Sequence, residues 1–150
     1  MRLATADDLP TLAALDEELY PIEGGWSLEQ FQEDFAKQFD RQLDRFYLVA
    51  ENEEDAIIGY AAAGITDGVA ELLMLTVVPG YRKQGMATEF WNILEAWIGG
   101  LPTVLQTRTD NHIIQDMYGK RGFIPTQILK DYYGAGVDAQ EMVKAHSTES

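Results

Sequence analysis

Between residues 69 and 109 the chain runs through an apolar stretch, Val69 to Val78, then a helical pattern from Gly85 to Ile98, then a second β-like stretch, Thr103 to Thr109. A strand, a crossing helix and a strand imply parallel neighbours, because antiparallel neighbours can be joined by a tight hairpin and parallel ones cannot. Met86, Phe90, Ile93, Leu94 and Trp97 recur on one face of the helical segment, which Gly99-Gly100 and Pro102 stop. Whatever fold forms must place one parallel pair near its centre and cover it with this helix.

The flanking segments are antiparallel in character. Arg45 to Glu51 and Ala56 to Ile65 are β-type runs joined by Asn52-Glu53-Glu54-Asp55, a hairpin signal, and Thr66-Asp67-Gly68 turns the chain into the run from Val69. Upstream, Met1 to Ala4 forms a short strand. A first helix follows, with Asp8 as N-cap, Pro10 just inside it, and Leu12, Leu15 and Leu19 at helical spacing. After the turn-rich Pro21 to Gly25, Ser27-Leu28-Glu29-Gln30 is a capping box for a second helix that turns Leu28, Phe31, Phe35 and Phe39 inward. Downstream, Asn111 to Lys120 is helical, and Phe123 to Tyr133 and Gln140 to Ala145 are strands around Gly134-Ala135-Gly136. The order β-α-α-β-β-β-α-β-α-β-β predicts a single α/β (α+β) domain over residues 1–145: a mixed, mostly antiparallel sheet with one central parallel pair and helices on both faces, followed by a polar tail at 146–150.

Composition narrows the chemistry. The 150 residues include no cysteine, which removes disulfides, thiolate metal sites and a cysteine nucleophile; no metal is expected. Formal charge is −14. Residues 1–55 carry 15 acids and 4 bases, and residues 56–150 carry 10 acids and 7 bases. Such a field disfavours nucleic acid and anionic lipid, favours cationic solutes, and keeps a protein soluble. No membrane-length apolar stretch and no signal-peptide pattern occur, so a cytoplasmic location is expected, as a monomer or homodimer.

The densest local signal is Val77-Val78-Pro79-Gly80-Tyr81-Arg82-Lys83-Gln84-Gly85-Met86-Ala87, between an apolar strand and an amphipathic helix. Pyrophosphate needs outward backbone amides, little side-chain bulk and the positive end of a helix, and Gly85, Ala87, Arg82 and Lys83 supply these. The segment is neither a P-loop nor a three-glycine dinucleotide fingerprint. Arg82-x-x-Gly85-x-Ala87 after Val77-x-Pro79 resembles the acetyl-CoA signature of the GCN5-related N-acetyltransferases, and the element order resembles that family over essentially the whole chain.

The resemblance implies a central parallel pair that splays. Leu75, Thr76 and Val77 would pair with pantetheine at a bulge, and Lys83, Gln84, Gly85, Met86, Ala87 and Thr88 would cradle pyrophosphate beside Arg82. It also gives roles to Asn111 and Tyr118, seven residues apart and so on one helical face. Alone, such a tyrosine suits a core position; in the family's second motif, which Asn111 to Phe123 resembles, the asparagine contacts cofactor and the tyrosine protonates the departing thiolate. His112 next to Asn111 points elsewhere and suits a surface or packing role.

For a base, alternation places Glu71 on one face with Leu73, Leu75 and Val77, as general base, water-holder or amine anchor. Trp26-Ser27, Leu105-x-x-Arg108-x-x-Asn111, Asp131-Tyr132-Tyr133, Asp138-Ala139 and Met142 resemble the ribosomal-protein alanine and protein N-terminal acetyltransferases. That branch keeps a glutamate or histidine base where this chain has Gln106, which cannot take a proton. Tyr132 and Tyr133 match the loop lining the peptide entry. The expected activity is acetyl transfer from acetyl-CoA, as co-substrate, to a primary amine, preferably a protein or peptide N-terminal α-amine; a polyamine or aminoglycoside acceptor, and a weakly active acetyl-CoA-binding sensor, are the alternatives.

Overall fold

The computed structural model describes residues 1–21, 24–39 and 43–145. Its elements are β1 (Arg2–Leu3), α1 (Leu9–Leu19), α2 (Leu28–Ala36), β2 (Leu43–Glu51), β3 (Ile57–Thr66), β4 (Val69–Val77), α3 (Met86–Ile98), β5 (Thr103–Arg108), α4 (His112–Gly119), β6 (Ile124–Leu129) and β7 (Ala139–Lys144). The order is the expected one. Among the described residues the strands form one seven-stranded sheet in the order β1-β2-β3-β4-β5-β7-β6. Only β4 and β5 pair in parallel.

Two cores sandwich the sheet. Phe90, Leu94 and Ile98, each four residues apart on α3, pack with Trp91, Leu105, Tyr118 and Phe123 against Ala61, Ala63, Ala70 and Leu72. On the other face Leu9, Leu12 and Phe31 from α1 and α2 pack on Tyr47, Val49, Tyr60 and Ala62. Burial of each large apolar side chain contributes roughly 1.5–3 kcal/mol, which is why both amphipathic faces commit to the sheet. The small residues Gly59, Ala61, Ala62, Ala63 and Gly64 on β3 let both layers approach closely. At Gly59 a Cβ would stand 2.8 Å from Met86 Sδ and 2.9 Å from the Phe90 ring. At Gly64 the missing Cβ makes room for Arg45, which with Tyr47 hydrogen-bonds the buried Asp34 and fastens α2 to β2.

Several local expectations need correction. A 3-10 turn, Ala6–Asp8, precedes α1, and the Thr5 N–H donates to the Asp8 carboxylate at its start. Ser27 and Gln30 form the expected capping box on α2. Leu28 is 36% exposed and not inward, because N1 of this helix faces away from the sheet; Phe31 and Phe35 do the packing. The Phe39 side chain, Ile22 and Glu23 of the first turn, and the tail at 146–150 lie outside the described residues. β6 stops at Leu129, since Asp131 adopts φ 55° and starts a turn that runs to Val137.

The most consequential departure is a bulge in β4. Ala62 pairs with Met74 but Ala63 pairs with Leu72, leaving Leu73 as the extra residue. A bulge reverses the alternation beyond it. Ala70 and Leu72 face α3, Leu73 and Met74 both face α1 and α2, and Leu75 returns to the α3 side. Glu71 therefore shares its face with Leu73 and Met74, and not with Leu75 and Val77 as strict alternation requires.

Because Gly59 is the contact point between β3 and α3, Gly59→Ala is expected to cost about 1–3 kcal/mol through forced repacking of Met86 and Phe90. Urea-unfolding midpoints of the two proteins check this.

Candidate active site

Pairing between β4 and β5 is limited to Ala70 with Thr103 and Glu71 with Val104. Beyond that point the strands separate, and a cavity of about 900 Å³ opens between them. Leu75, Thr76, Val77, Arg82, Lys83, Gly85, Met86, Ala87, Thr88, Gln106, Asn111, Tyr118, Tyr132 and Tyr133 all line it. Gln84 and Glu71 do not. No group of three acidic or histidine side chains that could hold a metal ion occurs among the described residues.

The turn after β4 leads into a helix start that has no side-chain cap. Lys83 and Gly85 adopt left-handed φ of 64° and 82°, so the turn winds tightly and leads directly into α3. Gly85 gives α3 no side-chain cap. The N–H groups of Met86, Ala87 and Thr88 consequently have no intrahelical partner and sit at the positive end of a 13-residue helix. Arg82 folds back so that its Nε donates to the Val77 carbonyl at 2.9 Å, satisfying one acceptor at the open end of β4.

Asn111 is the N-cap of α4 and not a residue of its first turn: its side-chain oxygen accepts from the Ile114 N–H at 3.3 Å. It still lines the cavity, as does Tyr118 two turns on. His112 is exposed. Tyr118 is 5% exposed and held by edge-to-face contacts with Trp91 at 6.0 Å and Phe123 at 5.6 Å, between ring centroids. Burial, reinforced by the Tyr20 phenol and opposed by Arg121, holds its hydroxyl above the usual tyrosine range.

On the opposite wall Gln106 donates through Nε2 to Glu71 at 3.2 Å and accepts from the Tyr132 hydroxyl at 3.4 Å. Glu71 itself faces a smaller recess with Arg45, Gly64 and Val104. Burial, then the Glu71 charge, raises the Tyr132 phenol. Tyr132 and Tyr133 meet edge-to-face at 5.0 Å. Their loop is tied by Asp131, which receives the Gly136 N–H at 2.7 Å and donates its own N–H to Asp138 at 2.9 Å.

Sequence reasoning missed a second wall. Asp16, Tyr20, Trp26 and Gln30 from the α1–α2 region also line the cavity, and Asp16 is the sole carboxylate among the described residues that does. Asp16 is 5% exposed; it accepts from the Tyr60 hydroxyl at 2.5 Å and from the Trp26 N–H at 2.7 Å. Its signal was present, since Asp16 stands four after Leu12 on the apolar stripe of α1, where a charge needs a partner.

The sequence model of the Acetyltransferase (GNAT) family matches residues 9–123. Among functionally curated proteins, none matches the chain. Solved structures share the fold. The ribosomal-protein-S18-alanine N-acetyltransferase of Escherichia coli superposes with a TM-score of 0.79 at 19% identity, over 99% of this chain and 94% of that one. Naa20 of Chaetomium thermophilum, in complex with a bisubstrate analogue, gives 0.77 at 24% identity over 97% and 85%. A chimeric spermidine N-acetyltransferase from Vibrio cholerae and hSSAT gives 0.69 at 21% identity over 95% and 93%.

Since Asn111 caps α4, Asn111→Ala is expected to lower stability by about 1 kcal/mol and Asn111→Ser to restore most of it. Thermal or urea unfolding of the unliganded protein reads this separately from any role in ligand contact.

Proposed function

The chain belongs to the GNAT acetyltransferase family, and from that premise we propose that it transfers an acetyl group from acetyl-CoA to the α-amine of a protein or peptide N-terminus. The observation that carries the donor half is the continuity of the open edge of β4 with the uncapped start of α3. An extended amide-bearing arm followed by a pyrophosphate fits that sequence of groups: unpaired strand amides first, then helix N–H groups with Arg82 and Lys83 beside them. Leu75, Thr76 and Val77 would hold the arm, and residues 82–88 the phosphates, with Gln84 on the outer side of the turn. Acetyl-CoA supplies the acyl group activated as a thioester.

The chain's own groups then act by position. Unpaired N–H groups of β4 beyond the bulge polarise the acyl carbonyl. Tyr118, protonated throughout the neutral range, donates to the departing sulfur. The burial that raises its pKa also raises the basicity of a thiolate leaving in the same place, so proton transfer stays within reach. Asn111, at the mouth of α4, borders the donor. Glu71, expected as base or water-holder, stands about 13 Å along the strand from Leu75 and touches the cavity only through Gln106. In this reading it fixes the Gln106 amide so that its carbonyl oxygen faces the acceptor beside Tyr132 and Tyr133.

The acceptor half rests on the walls. Structural neighbours named for an alanine N-terminus and for spermidine bracket the choice. A polyamine brings several charges and needs several carboxylates, whereas one carboxylate, Asp16, lines the cavity among the described residues. Glu17, Glu18, Glu29 and Glu33 are exposed on the outer faces of α1 and α2. A single α-ammonium followed by a peptide between Trp26 and the Tyr132-Tyr133 pair suits these walls better.

A thiol-detection assay across N-terminal peptides, polyamines and aminoglycosides is expected to show CoA release fastest with peptides. Fastest release with spermidine would reassign the acceptor, and acetyl-CoA binding without release from any amine would leave a sensor. In the same assay Tyr118→Phe is expected to lower kcat by about 10²-fold or more with acetyl-CoA affinity retained.

A further inference from the structure

One buried acid and three hydroxyls on the α1 side of the cavity lie in a row of two hydrogen-bonded pairs set side by side. Asp16 lies in the last turns of α1 and Tyr20 is the C-cap that follows the helix, and the Tyr20 hydroxyl meets the Thr76 hydroxyl at 2.7 Å. Thr76 is 3% exposed and is the β3–β4 partner of Tyr60, which sets the two side chains next to each other on the α1 face of the sheet. Tyr60, fully buried, donates to Asp16 at 2.5 Å. The β4 bulge at Leu73 is what turns Thr76 to this side, since unbroken alternation from Ala70 and Leu72 would aim it at α3. Tyr20 is the half-exposed end of the row. It lines the cavity, and it is near enough to Tyr118 to act on that phenol across the opening between the strands.

We infer that Tyr20, Thr76, Tyr60 and Asp16 form a proton path that carries the acceptor amine's first proton away from the reaction centre, with Tyr20 touching the amine and Asp16 as the terminal base. This rests on the acetyl-transfer reading and replaces the glutamate or histidine missing at Gln106. The ammonium proton passes to the Tyr20 oxygen as the Tyr20 proton moves to Thr76, the Thr76 proton to Tyr60 and the Tyr60 proton to Asp16. Four bonds to hydrogen break and four form. The nitrogen lone pair is freed and the carboxylate becomes a carboxylic acid. Two protons leave nitrogen over the whole reaction: Asp16 takes one and later yields it to solvent, and the other replaces the proton that Tyr118 gives to sulfur. Acylation of an ammonium by a thioester releases one proton net, so the count closes.

The arrangement differs from a structural network in its direction. Burial, then the adjacent carboxylate, holds the Tyr60 phenol far above its ordinary range, so it stays protonated and keeps donating to Asp16. The titratable groups facing the Tyr20 end of the row from other elements are Tyr60 on β3 and Tyr118 on α4, with Arg121 beyond Tyr118. Asp16 also anchors the α1–α2 loop through the Trp26 N–H, and a Cβ at Gly25 would stand 2.6 Å from the Asp16 carbonyl oxygen, so the loop passes hard against this acid.

The test is the pH dependence of peptide acetylation by the full chain and by Tyr20→Phe, Thr76→Val and Tyr60→Phe, each lacking one hydroxyl, with acetyl-CoA binding measured alongside. At pH 7 each variant is expected to turn over about 10²-fold more slowly, with acetyl-CoA affinity unchanged in Tyr20→Phe and Tyr60→Phe. The deficit should shrink to a few-fold near pH 9.5, where an α-amine of pKa about 8 arrives neutral and needs no base. Asp16→Asn should give the same profile. A Tyr20→Phe protein as fast as wild type at pH 7, or one slowed equally at both pH values, overturns the path and leaves the acetyltransferase reading standing. A wild-type protein that binds acetyl-CoA but acetylates no amine overturns both.

Discussion

Strand β4 has a partner on both sides only as far as Glu71, and everything about the site follows from that limit. From Leu72 to Val77 one edge keeps its ladder with β3 while the other faces open space inside the molecule. Backbone N–H and C=O groups in such a place require partners, and what the protein itself supplies is sparse, Arg82 reaching the Val77 carbonyl being one case. A ligand that brings its own amide groups completes the sheet there without competing for any bond the fold already uses. The uncapped start of α3, at the exit of the same strand, would then favour the end of such a ligand that carries negative charge.

Most of this frame was legible in the residues. The spacing of Phe90, Leu94 and Trp97, the capping box at Ser27, the hairpin at Asn52 to Asp55 and the stop at Gly99 each describe local structure that needs no tertiary contact to be recognised. The backbone shape of the turn before α3 was legible for the same reason, since it depends on a positive φ at Gly85, which is a local property. The α1 wall was not. Asp16 sits on an apolar stripe where its purpose depends on Tyr60, 44 residues away, and on a backbone N–H across a loop. Glu71 was placed on the wrong set of neighbours because period-two reasoning cannot see an inserted residue, and nothing in Leu72-Leu73-Met74 marks where the bulge falls.

Charge is arranged to match. The acids that dominate the first third of the sequence lie on the outward faces of α1 and α2, at Glu17, Glu18, Glu29 and Glu33, while Arg82 and Lys83 stand at the far side of the cavity. Negative charge on a ligand is therefore favoured near Arg82 and Lys83, and positive charge near the outer faces of α1 and α2. Asp16 is set apart from the surface acids by burial and by accepting from the Tyr60 hydroxyl and the Trp26 N–H.

The bulge at Leu73 has a bearing on how such a sequence can change over generations. One residue there decides whether Thr76 faces α1 or α3, so β4 behaves as two half-strands with opposite phase joined at a single point. Loss or gain of one residue between Ala70 and Thr76 would exchange the two faces of everything downstream, removing Thr76 from Tyr20 and Tyr60 at once. Length variation is tolerable at the Asn52–Asp55 hairpin, where only exposed turn residues are at stake, and intolerable here. The strand's residue count, more than the identity of most of its side chains, is the inherited trait that keeps its two faces in register.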